Sequence, residues 1–286
     1  MNLARKLRNF GELVVFEHTL FSLPFIFIAM IVGARGWFGW TLLALGLIAA
    51  VSARNFAMGF NRLADRRYDA LNPRTANRPS VDGRLSVKTM TIFVAANAIC
   101  FVIVCRFINP LALALSAPFL IVMASYSLIK RFSWAAHIVV GLSLGLAPIA
   151  GAVAALGEIP AWSLFLSAGV TLWVAGFDLL YALQDREFDQ KMGLFSIPSR
   201  FGAAKTLTIA RAFHIAALIF WALFCVFAQL GGFAWIGACV SGAMLFAEHR
   251  IVAGGLEKIN RAFFTINAWL GVIFFAFIVA DSVWTL

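Results

Sequence analysis

The sequence predicts an all-α, polytopic membrane protein with nine transmembrane helices. Of its 286 residues, 62% are apolar and only 13% are charged, whereas a soluble domain usually carries about a quarter charged residues. Long apolar stretches recur along the whole chain, and roughly 20 such residues suffice for a helix to cross a bilayer. The basic residues also fall in alternate connections between these stretches, which is typical of membrane proteins.

Nine segments are long enough for a transmembrane helix, and they leave no room for a separate soluble domain. Because no small-residue cleavage site follows the first segment, we interpret it as a retained helix and not as a signal peptide. We therefore treat residues 1–286 as a single transmembrane domain. The predicted spans are 14–34, 38–60, 88–107, 109–129, 135–156, 160–184, 206–229, 232–249 and 262–284.

The distribution of charge predicts the orientation of the chain. The formal net charge is +10, and 21 of the 23 lysines and arginines lie at the N-terminus or within the regions 54–88, 130–131, 186–211 and 250–261, which contain every second connection. The positive-inside rule then places the N-terminus in the cytoplasm and, with nine spans, the C-terminus on the external side of the inner membrane. The basic excess is thereby attributed to topology, lipid and substrate phosphate, and we expect no nucleic-acid partner.

The cysteines and three of the histidines lack the close spacing of metal or redox motifs. We therefore expect them to be packing or surface residues. These residues are Cys100, Cys105, Cys225, Cys239, His137, His214 and His249.

Six of the 13 acidic residues lie in two clusters, at the cytoplasmic ends of the second and sixth predicted spans. Each cluster contains three polar residues at i, i+4 and i+8, a spacing that puts them on one face of a helix. The second set repeats the first 120 residues later. The sets are Asn61, Asp65 and Asp69, and Tyr181, Asp185 and Asp189.

Carboxylates spaced in this way repel one another, and burial near a membrane adds a desolvation cost. Magnesium prefers carboxylate oxygens and substrate phosphates, so two such clusters facing one cavity would bind magnesium and a diphosphate. The alternative is that the carboxylates only form ion pairs at helix ends. The arginines available for such pairs are Arg62, Arg66, Arg67 and Arg186.

Each cluster is followed by a polar connection in which proline and glycine disfavour a helix. The first of these connections carries Arg74 and Arg78. Arginine can bind phosphate through two parallel hydrogen bonds, although these side chains could also bind anionic lipid. The matching acidic sites divide the chain into two related halves, at about 12–130 and 131–286.

These motifs resemble the UbiA superfamily of intramembrane aromatic prenyltransferases over essentially the whole chain. In its members the first motif usually has the sequence N-D-x-x-D-x-x-x-D, and the second has D-x-x-Y-A-x-x-D-x-x-x-D. The first motif departs from this pattern at Arg62, where aspartate is usual. The matching residues are Asn61, Asp65 and Asp69 in the first motif, and Asp178, Tyr181, Ala182, Asp185 and Asp189 in the second.

The resemblance implies nine helices around a central cavity that opens toward the cytoplasm and laterally toward lipid. It also implies that two magnesium ions bridge the aspartates to the diphosphate of a polyprenyl donor. The implied metal ligands are Asp65, Asp69, Asp185 and Asp189. Three further positions match residues that family members of the quinone-synthesis type use: Arg54, Tyr126 and Lys130.

The chemistry of the reaction suggests roles for these and other candidates. Negative charge develops on the leaving diphosphate, and Lys130, Arg74 and Arg78 would stabilise it together with magnesium. We assign Asn61 and Tyr181 to substrate binding and Lys130 to the catalytic set. Tyr126 is assigned to the catalytic set by the resemblance alone.

Arg54 lies seven residues, or about two helical turns, before Asn61 on nearly the same face. A buried arginine is costly unless it is paired. A carboxylate-bearing acceptor would provide one partner, and Glu17 or Asp178 would be a structural alternative. Asp178 itself would orient the acceptor or remove its ring proton, unless it only supports the second metal site.

The predicted function is transfer of a polyprenyl group to 4-hydroxybenzoate or a similar aromatic acid in respiratory quinone biosynthesis. The alternative within the family is a prenyltransferase of the menaquinone (futalosine) pathway that acts on a different aromatic acid. A transporter would also show half-repeats, but it would need acidic residues near the span centres. A non-catalytic lipid-binding scaffold would not need two complete acidic sets.

Overall fold

The computed structural model describes residues 3–14, 23–255, 259 and 265–284, and the regular structure in these ranges is helical. A 3-10 turn over Leu183–Asp185 joins α8 to α9. The helices are α1 Leu3–Val14, α2 Leu23–Ala34, α3 Trp40–Ala64, α4 Arg66–Leu71, α5 Val87–Ile108, α6 Pro110–Ile129, α7 Ala136–Leu156, α8 Ala161–Ala182, α9 Arg186–Lys191, α10 Ile197–Phe227, α11 Gly232–Ala253 and α12 Asn267–Trp284.

Eight of these helices, namely α3, α5 to α8 and α10 to α12, are long and apolar enough to cross a membrane. The apolar α2 is shorter, with 12 residues. Together they correspond to the nine predicted spans, so the all-α, multi-pass membrane fold is confirmed. Residues 15–22, including Glu17 and His18, and residues 262–264 lie outside the described part of the chain. The division into two related halves stays a prediction.

Polar residues at the ends of the apolar segments cap several helices. The Asn109 side chain accepts a hydrogen bond from the Ala112 N–H, just before α6 begins at Pro110. Proline suits this first position because its missing N–H would have no partner inside the helix. Ser196 and Ser199 form a reciprocal capping box at the start of α10. The Asn109 cap separates α5 from α6, which would otherwise read as one apolar run.

Six helices form a closed ring in which each contacts the next, in the order α2, α7, α8, α10, α11 and α12. The core of this ring is aromatic. The rings of Phe25 and Trp173 lie 5.2 Å apart, and those of Trp221 and Phe274 lie 5.4 Å apart. Gly169 allows α8 to approach α10, because a Cβ there would lie 2.4 Å from the indole of Trp221. Small residues permit such close helix packing inside a membrane.

The helices α3, α5 and α6 pack together beside this ring, with α6 against α7. Their shared apolar core includes Phe101, Cys105, Phe119 and Met123. The short helix α1 packs against α3. The central cavity lies between this second group and the helices α2, α7 and α8.

In both acidic motifs the backbone departs from α-helical geometry where the transmembrane helix ends. Asp65, with φ −92° and ψ 4°, connects α3 to α4, and the 3-10 turn Leu183–Asp185 connects α8 to α9. The first motif keeps its i, i+4 backbone hydrogen bonds through Asp65, from the Asp65 N–H to the Asn61 carbonyl and from the Asp69 N–H to the Asp65 carbonyl, while the second passes through the 3-10 turn. Aspartate is unfavourable inside a helix because its carboxylate competes for backbone donors. The last aspartate of each set is buried: Asp69 is 7% exposed and Asp189 is 0% exposed.

Candidate active site

A central cavity of about 430 Å³ lies between α2, α3, α5, α6, α7 and α8. Its wall is largely apolar and includes the rings of Phe101, Phe119 and Phe177. Half of the predicted site residues line this cavity, and the other half belong to the ion pairs described below. The lining residues among them are Arg54, Asn61, Arg78, Tyr126, Asp178 and Tyr181.

The carboxylates of the first motif contact residues of the cavity wall. Asn61 Nδ2 donates to Asp65 Oδ2 at 2.8 Å, and Arg78 Nη1 donates to Asp69 Oδ1 at 2.7 Å. Arg131 approaches from the connection after α6, with Nη2 lying 3.5 Å from Asp65 Oδ1. Since Asn61 and Arg78 line the cavity, Asp65 and Asp69 are each one contact away from it.

Arg74 joins the connection after the first motif to the second motif. Its Nε and Nη2 donate to Oδ1 and Oδ2 of Asp185 at 3.0 and 2.5 Å, and its Nη1 donates to the Tyr181 hydroxyl at 2.9 Å. Asn72 Nδ2 donates a further bond to Asp185 Oδ1 at 3.0 Å. The planar guanidinium fork matches the two carboxylate oxygens. These contacts bring the two motifs together.

Lys130 holds the last aspartate of the second motif. Its Nζ lies 2.7 Å from Oδ1 of the fully buried Asp189, and its carbonyl accepts a hydrogen bond from the Phe195 N–H at 2.8 Å. One turn earlier on α6, the Tyr126 hydroxyl donates to the carbonyl of Ala57 at 3.3 Å. Tyr126 therefore fixes α6 against α3, while Lys130 reaches the second motif.

Each motif aspartate is thus paired with a different cation, and the pair of Asp65 is the longest, at 3.5 Å. Burial raises the pKa of Asp65, and the charge of Asp69 raises it further, while Arg131 lowers it. Such carboxylates favour an additional cation. The four pairs are Asp65 with Arg131, Asp69 with Arg78, Asp185 with Arg74, and Asp189 with Lys130.

The carboxylates fit the ligand chemistry of a divalent cation. Asp69 Oδ2 and Asp189 Oδ2 are buried and have no hydrogen-bond partner among the described residues, and an unpaired buried carboxylate oxygen is costly. Magnesium prefers oxygen ligands of this kind. Within the described ranges, no three Asp, Glu, His or Cys side chains converge on one point as a preformed metal site. Metal binding would therefore require the aspartates to move closer together.

Two arginines of α3, the half-buried Arg54 and the buried Arg62, hold the C-terminal end of α1. Arg54 Nη2 donates to the carbonyl of Val14 at 3.2 Å, and Arg62 Nε donates to the carbonyl of Leu13 at 3.2 Å. Cations near a helix C-terminus are stabilised by the partial negative charge of the last carbonyls. Arg62, which stands where aspartate is usual in the resembling family, therefore anchors α1.

Asp178 faces the cavity from α8 and contacts a residue of α7. Its Oδ2 lies 2.7 Å from Nδ1 of His137, which is 4% exposed. The spacing of the histidines predicts a packing or surface role for His137 and gives no sign of this contact. The pairing depends on how α7 packs against α8, and the sequence carries no signal for it.

Sequence reasoning also left out Asn72 and Arg131, which contact Asp185 and Asp65. Both residues could have been chosen as candidates from the sequence, because Asn72 begins the polar connection after the first motif and Arg131 follows Lys130 directly. The sequence could not have identified the carboxylates that they contact, since each contact joins distant segments of the chain.

Comparison with known proteins agrees with this geometry. Residues 22–278 match the model of the UbiA prenyltransferase family. The chain is 30% identical over 280 residues to a 4-hydroxybenzoate octaprenyltransferase of Saccharophagus degradans, covering 97% of this chain and 90% of that protein. It is 33% identical over 228 residues to the 4-hydroxybenzoate octaprenyltransferase of Methylococcus capsulatus, covering 78% and 76% of the two chains.

Solved structures share the fold over nearly the whole chain. The apo structure of a UbiA homolog from Aeropyrum pernix K1 superposes with a TM-score of 0.84 and 32% identity, covering 93% of this chain and 98% of that one. A UbiA homolog from Archaeoglobus fulgidus bound to GPP and Mg²⁺ gives a TM-score of 0.71 at 21% identity, covering 95% and 99%. Motifs, fold and relatives agree, and this chain belongs to the UbiA prenyltransferase family.

Proposed function

We propose that this protein transfers a polyprenyl group from a polyprenyl diphosphate to the ring of 4-hydroxybenzoate or a similar aromatic acid. The reaction would take place in the bacterial inner membrane and contribute to the synthesis of a respiratory quinone. The observation that carries the proposal is a cluster of four aspartate–cation pairs beside an apolar cavity that contains Arg54. Relatives named 4-hydroxybenzoate octaprenyltransferase support the choice of acceptor.

The diphosphate would bind among the paired charges. The four motif aspartates would hold Mg²⁺, which when bound neutralises negative charge on the departing diphosphate. Arg74, Arg78 and Lys130 would then be free to contact the phosphate oxygens. An exchange of this kind keeps the buried carboxylates neutralised before and after the donor binds. The homolog solved with GPP and Mg²⁺ has the same fold, which supports a diphosphate site of this type.

The apolar cavity suits the prenyl group and the reacting carbon. Positive charge develops on the allylic carbon as the diphosphate leaves, and the faces of aromatic rings attract a cation. Phe101, Phe119 and Phe177 line the cavity, so one or more of these rings would face that carbon. An apolar wall also excludes water, which would otherwise capture the cation.

The acceptor would bind deeper in the cavity than the diphosphate. Arg54 lines the cavity seven residues before Asn61 on the same helix, which corresponds to about 10 Å. A guanidinium at this depth can receive the carboxylate of an aromatic acid. The aromatic ring would then lie between Arg54 and the diphosphate, within reach of the allylic carbon.

The chemical step replaces a carbon–oxygen bond with a carbon–carbon bond. The allylic C–O bond breaks and its electron pair leaves with the diphosphate. An electron-rich ring carbon of the acceptor attacks the prenyl carbon, and the ring then loses a proton to become aromatic again. Asp178 lines the cavity, and we assign to its carboxylate the acceptance of that proton.

The proposal is tested by transfer of radiolabelled polyprenyl diphosphate, using the purified protein in nanodiscs with magnesium. The acceptor panel should contain 4-hydroxybenzoate, other hydroxylated or amino-substituted aromatic acids, and a phenol without a carboxylate. We expect a prenylated product with at least one acid and little or none with the phenol. Asp185→Asn should abolish product formation. If no aromatic acid is prenylated under any of these conditions, the proposed function is wrong.

A further inference from the structure

His137 of α7 contacts Asp178, whose carboxylate belongs to the cavity wall. Asp178 is the one carboxylate among the described residues of the cavity wall. Its Oδ2 lies 2.7 Å from His137 Nδ1, with the side chains 27% and 5% exposed, respectively. His137 itself does not line the cavity. Any influence of His137 on the reaction would therefore pass through Asp178.

The contact defines where the proton of the imidazole lies. Because an ionised carboxylate can only accept hydrogen bonds, we assign the proton to Nδ1, which donates a hydrogen bond to Oδ2. His137 Nε2 is then the unprotonated nitrogen, and it is buried without a hydrogen-bond partner among the described residues. A buried imidazole with one unsatisfied nitrogen is costly. The hydrogen bond to Asp178 is thus the contact that compensates for burial of this ring.

The same contact determines which oxygen of Asp178 faces the reaction. Because Oδ2 is held by His137, Oδ1 is left for a molecule in the cavity. His137 is the second residue of α7, close to the positive end of the helix dipole. The hydrogen bond fixes the Asp178 carboxylate with Oδ2 toward the first turn of α7.

We infer that His137 is a positioning residue for proton removal, holding Asp178 so that Oδ1 accepts the proton released by the acceptor ring. This inference rests on the proposed function. When the ring carbon has bonded to the prenyl carbon and the diphosphate has left with the C–O electron pair, the ring C–H bond breaks. Its electrons restore aromaticity, its proton goes to Asp178 Oδ1, and His137 keeps its own proton.

The test compares His137→Leu, which has no donor, with the two amide variants His137→Asn and His137→Gln, which keep an N–H. Single-turnover transfer would be measured with ordinary acceptor and with acceptor deuterated at the reacting ring carbon. We expect His137→Leu to lower the transfer rate about 10- to 100-fold, with acceptor KM changed less than about threefold. The isotope effect should rise, because proton removal becomes rate-limiting, and at least one amide variant should recover most of the rate.

Thr171→Val provides the matched control. Thr171 lies at the contact between α7 and α8, and its hydroxyl donates to the Ser167 carbonyl of its own helix, so transfer should be unchanged. Equal losses in His137→Leu and both amide variants, with an unchanged isotope effect, would show a purely structural role and overturn the inference. Full activity of His137→Leu would overturn it as well, without affecting the proposed function. Failure of the wild-type protein to prenylate any aromatic acid would contradict both.

Discussion

The guanidinium of Arg74 donates hydrogen bonds to both carboxylate oxygens of Asp185, which lies 111 residues farther along the chain. A third nitrogen of the same guanidinium donates to the Tyr181 hydroxyl. This fork ties the connection after the first motif to the second motif. The proposed reaction requires both partners to change their contacts, since Asp185 would bind magnesium and Arg74 would bind phosphate.

Replacing Arg74 should impair donor binding more than stability. Arg74→Lys keeps the charge but loses the planar fork, and we expect it to weaken donor binding about 10-fold, with Arg74→Ala reaching about 100-fold. The side chain is 32% exposed, so the free energy of unfolding should fall by no more than about 1 kcal/mol. Donor titration and thermal unfolding would measure both effects. Arg84→Ala, which removes ion pairs with Asp82 in the same connection and with Glu12 of α1, is the control; equal effects of both variants would contradict the assignment.

The motif aspartates should be essential because they hold magnesium. We expect Asp65→Ala and Asp185→Ala to reduce transfer by several orders of magnitude while the protein stays folded. EDTA should stop the wild-type reaction, and added magnesium should restore it. Asp82→Ala removes a carboxylate from the connection after the first motif and should leave the rate unchanged. Near-normal turnover of either motif variant in saturating magnesium would show that the metal-site assignment is wrong.

Replacing Arg54 should impair acceptor recognition but leave donor binding nearly unchanged. Losing a charge-assisted contact in a low-dielectric site costs about 2–4 kcal/mol, so Arg54→Ala should weaken acceptor use about 30- to 1000-fold. Donor affinity should change little, because Arg54 lies deeper than the motif aspartates. Both constants would be measured in one preparation, with thermal unfolding as a check, since Arg54 also donates to the Val14 carbonyl. Loss of donor binding with intact acceptor use would place Arg54 in the phosphate site instead.

The charge distribution predicts that the C-terminus is external and that the connections 70–88 and 190–205 are cytoplasmic. A reporter that is active only outside the cytoplasm should therefore work when it is fused after Leu286. Cysteines introduced into the two connections should react with a thiol reagent only from the cytoplasmic side. A C-terminal reporter that is active only in the cytoplasm would contradict the nine-span topology.

A buried series of side-chain hydrogen bonds should stabilise the ring of helices without taking part in the reaction. Trp173 Nε1 donates to Asn267 Oδ1 at 2.8 Å, and Asn267 Nδ2 donates to Glu248 Oε1 at 2.6 Å. Asn267→Leu leaves both buried partners without this bridge, which should cost about 2–4 kcal/mol. Thermal unfolding would measure the loss. The control is Ser241→Ala, because that buried hydroxyl donates to the Gly237 carbonyl in its own helix; an equally large loss there would contradict the prediction.

The helices, the membrane class and the family could all be predicted from the sequence alone. Apolar length determines which segments can cross a bilayer, and this property is local to each segment. The spacing of Asp65 and Asp69, repeated at Asp185 and Asp189, is likewise read along one stretch of chain. The same locality limits what the motifs reveal, because regular spacing does not show that helical geometry is interrupted at Asp65 and by the 3-10 turn Leu183–Asp185.

Only the tertiary structure determined which residues are partners. Arg74 pairs with Asp185, Arg62 anchors α1, and His137 holds Asp178. Each of these contacts joins segments at least 41 positions apart. Such contacts depend on which helices pack together and at what depth their side chains meet. Helix packing is set by the combined shape of many apolar side chains, and a single sequence does not show how those shapes fit.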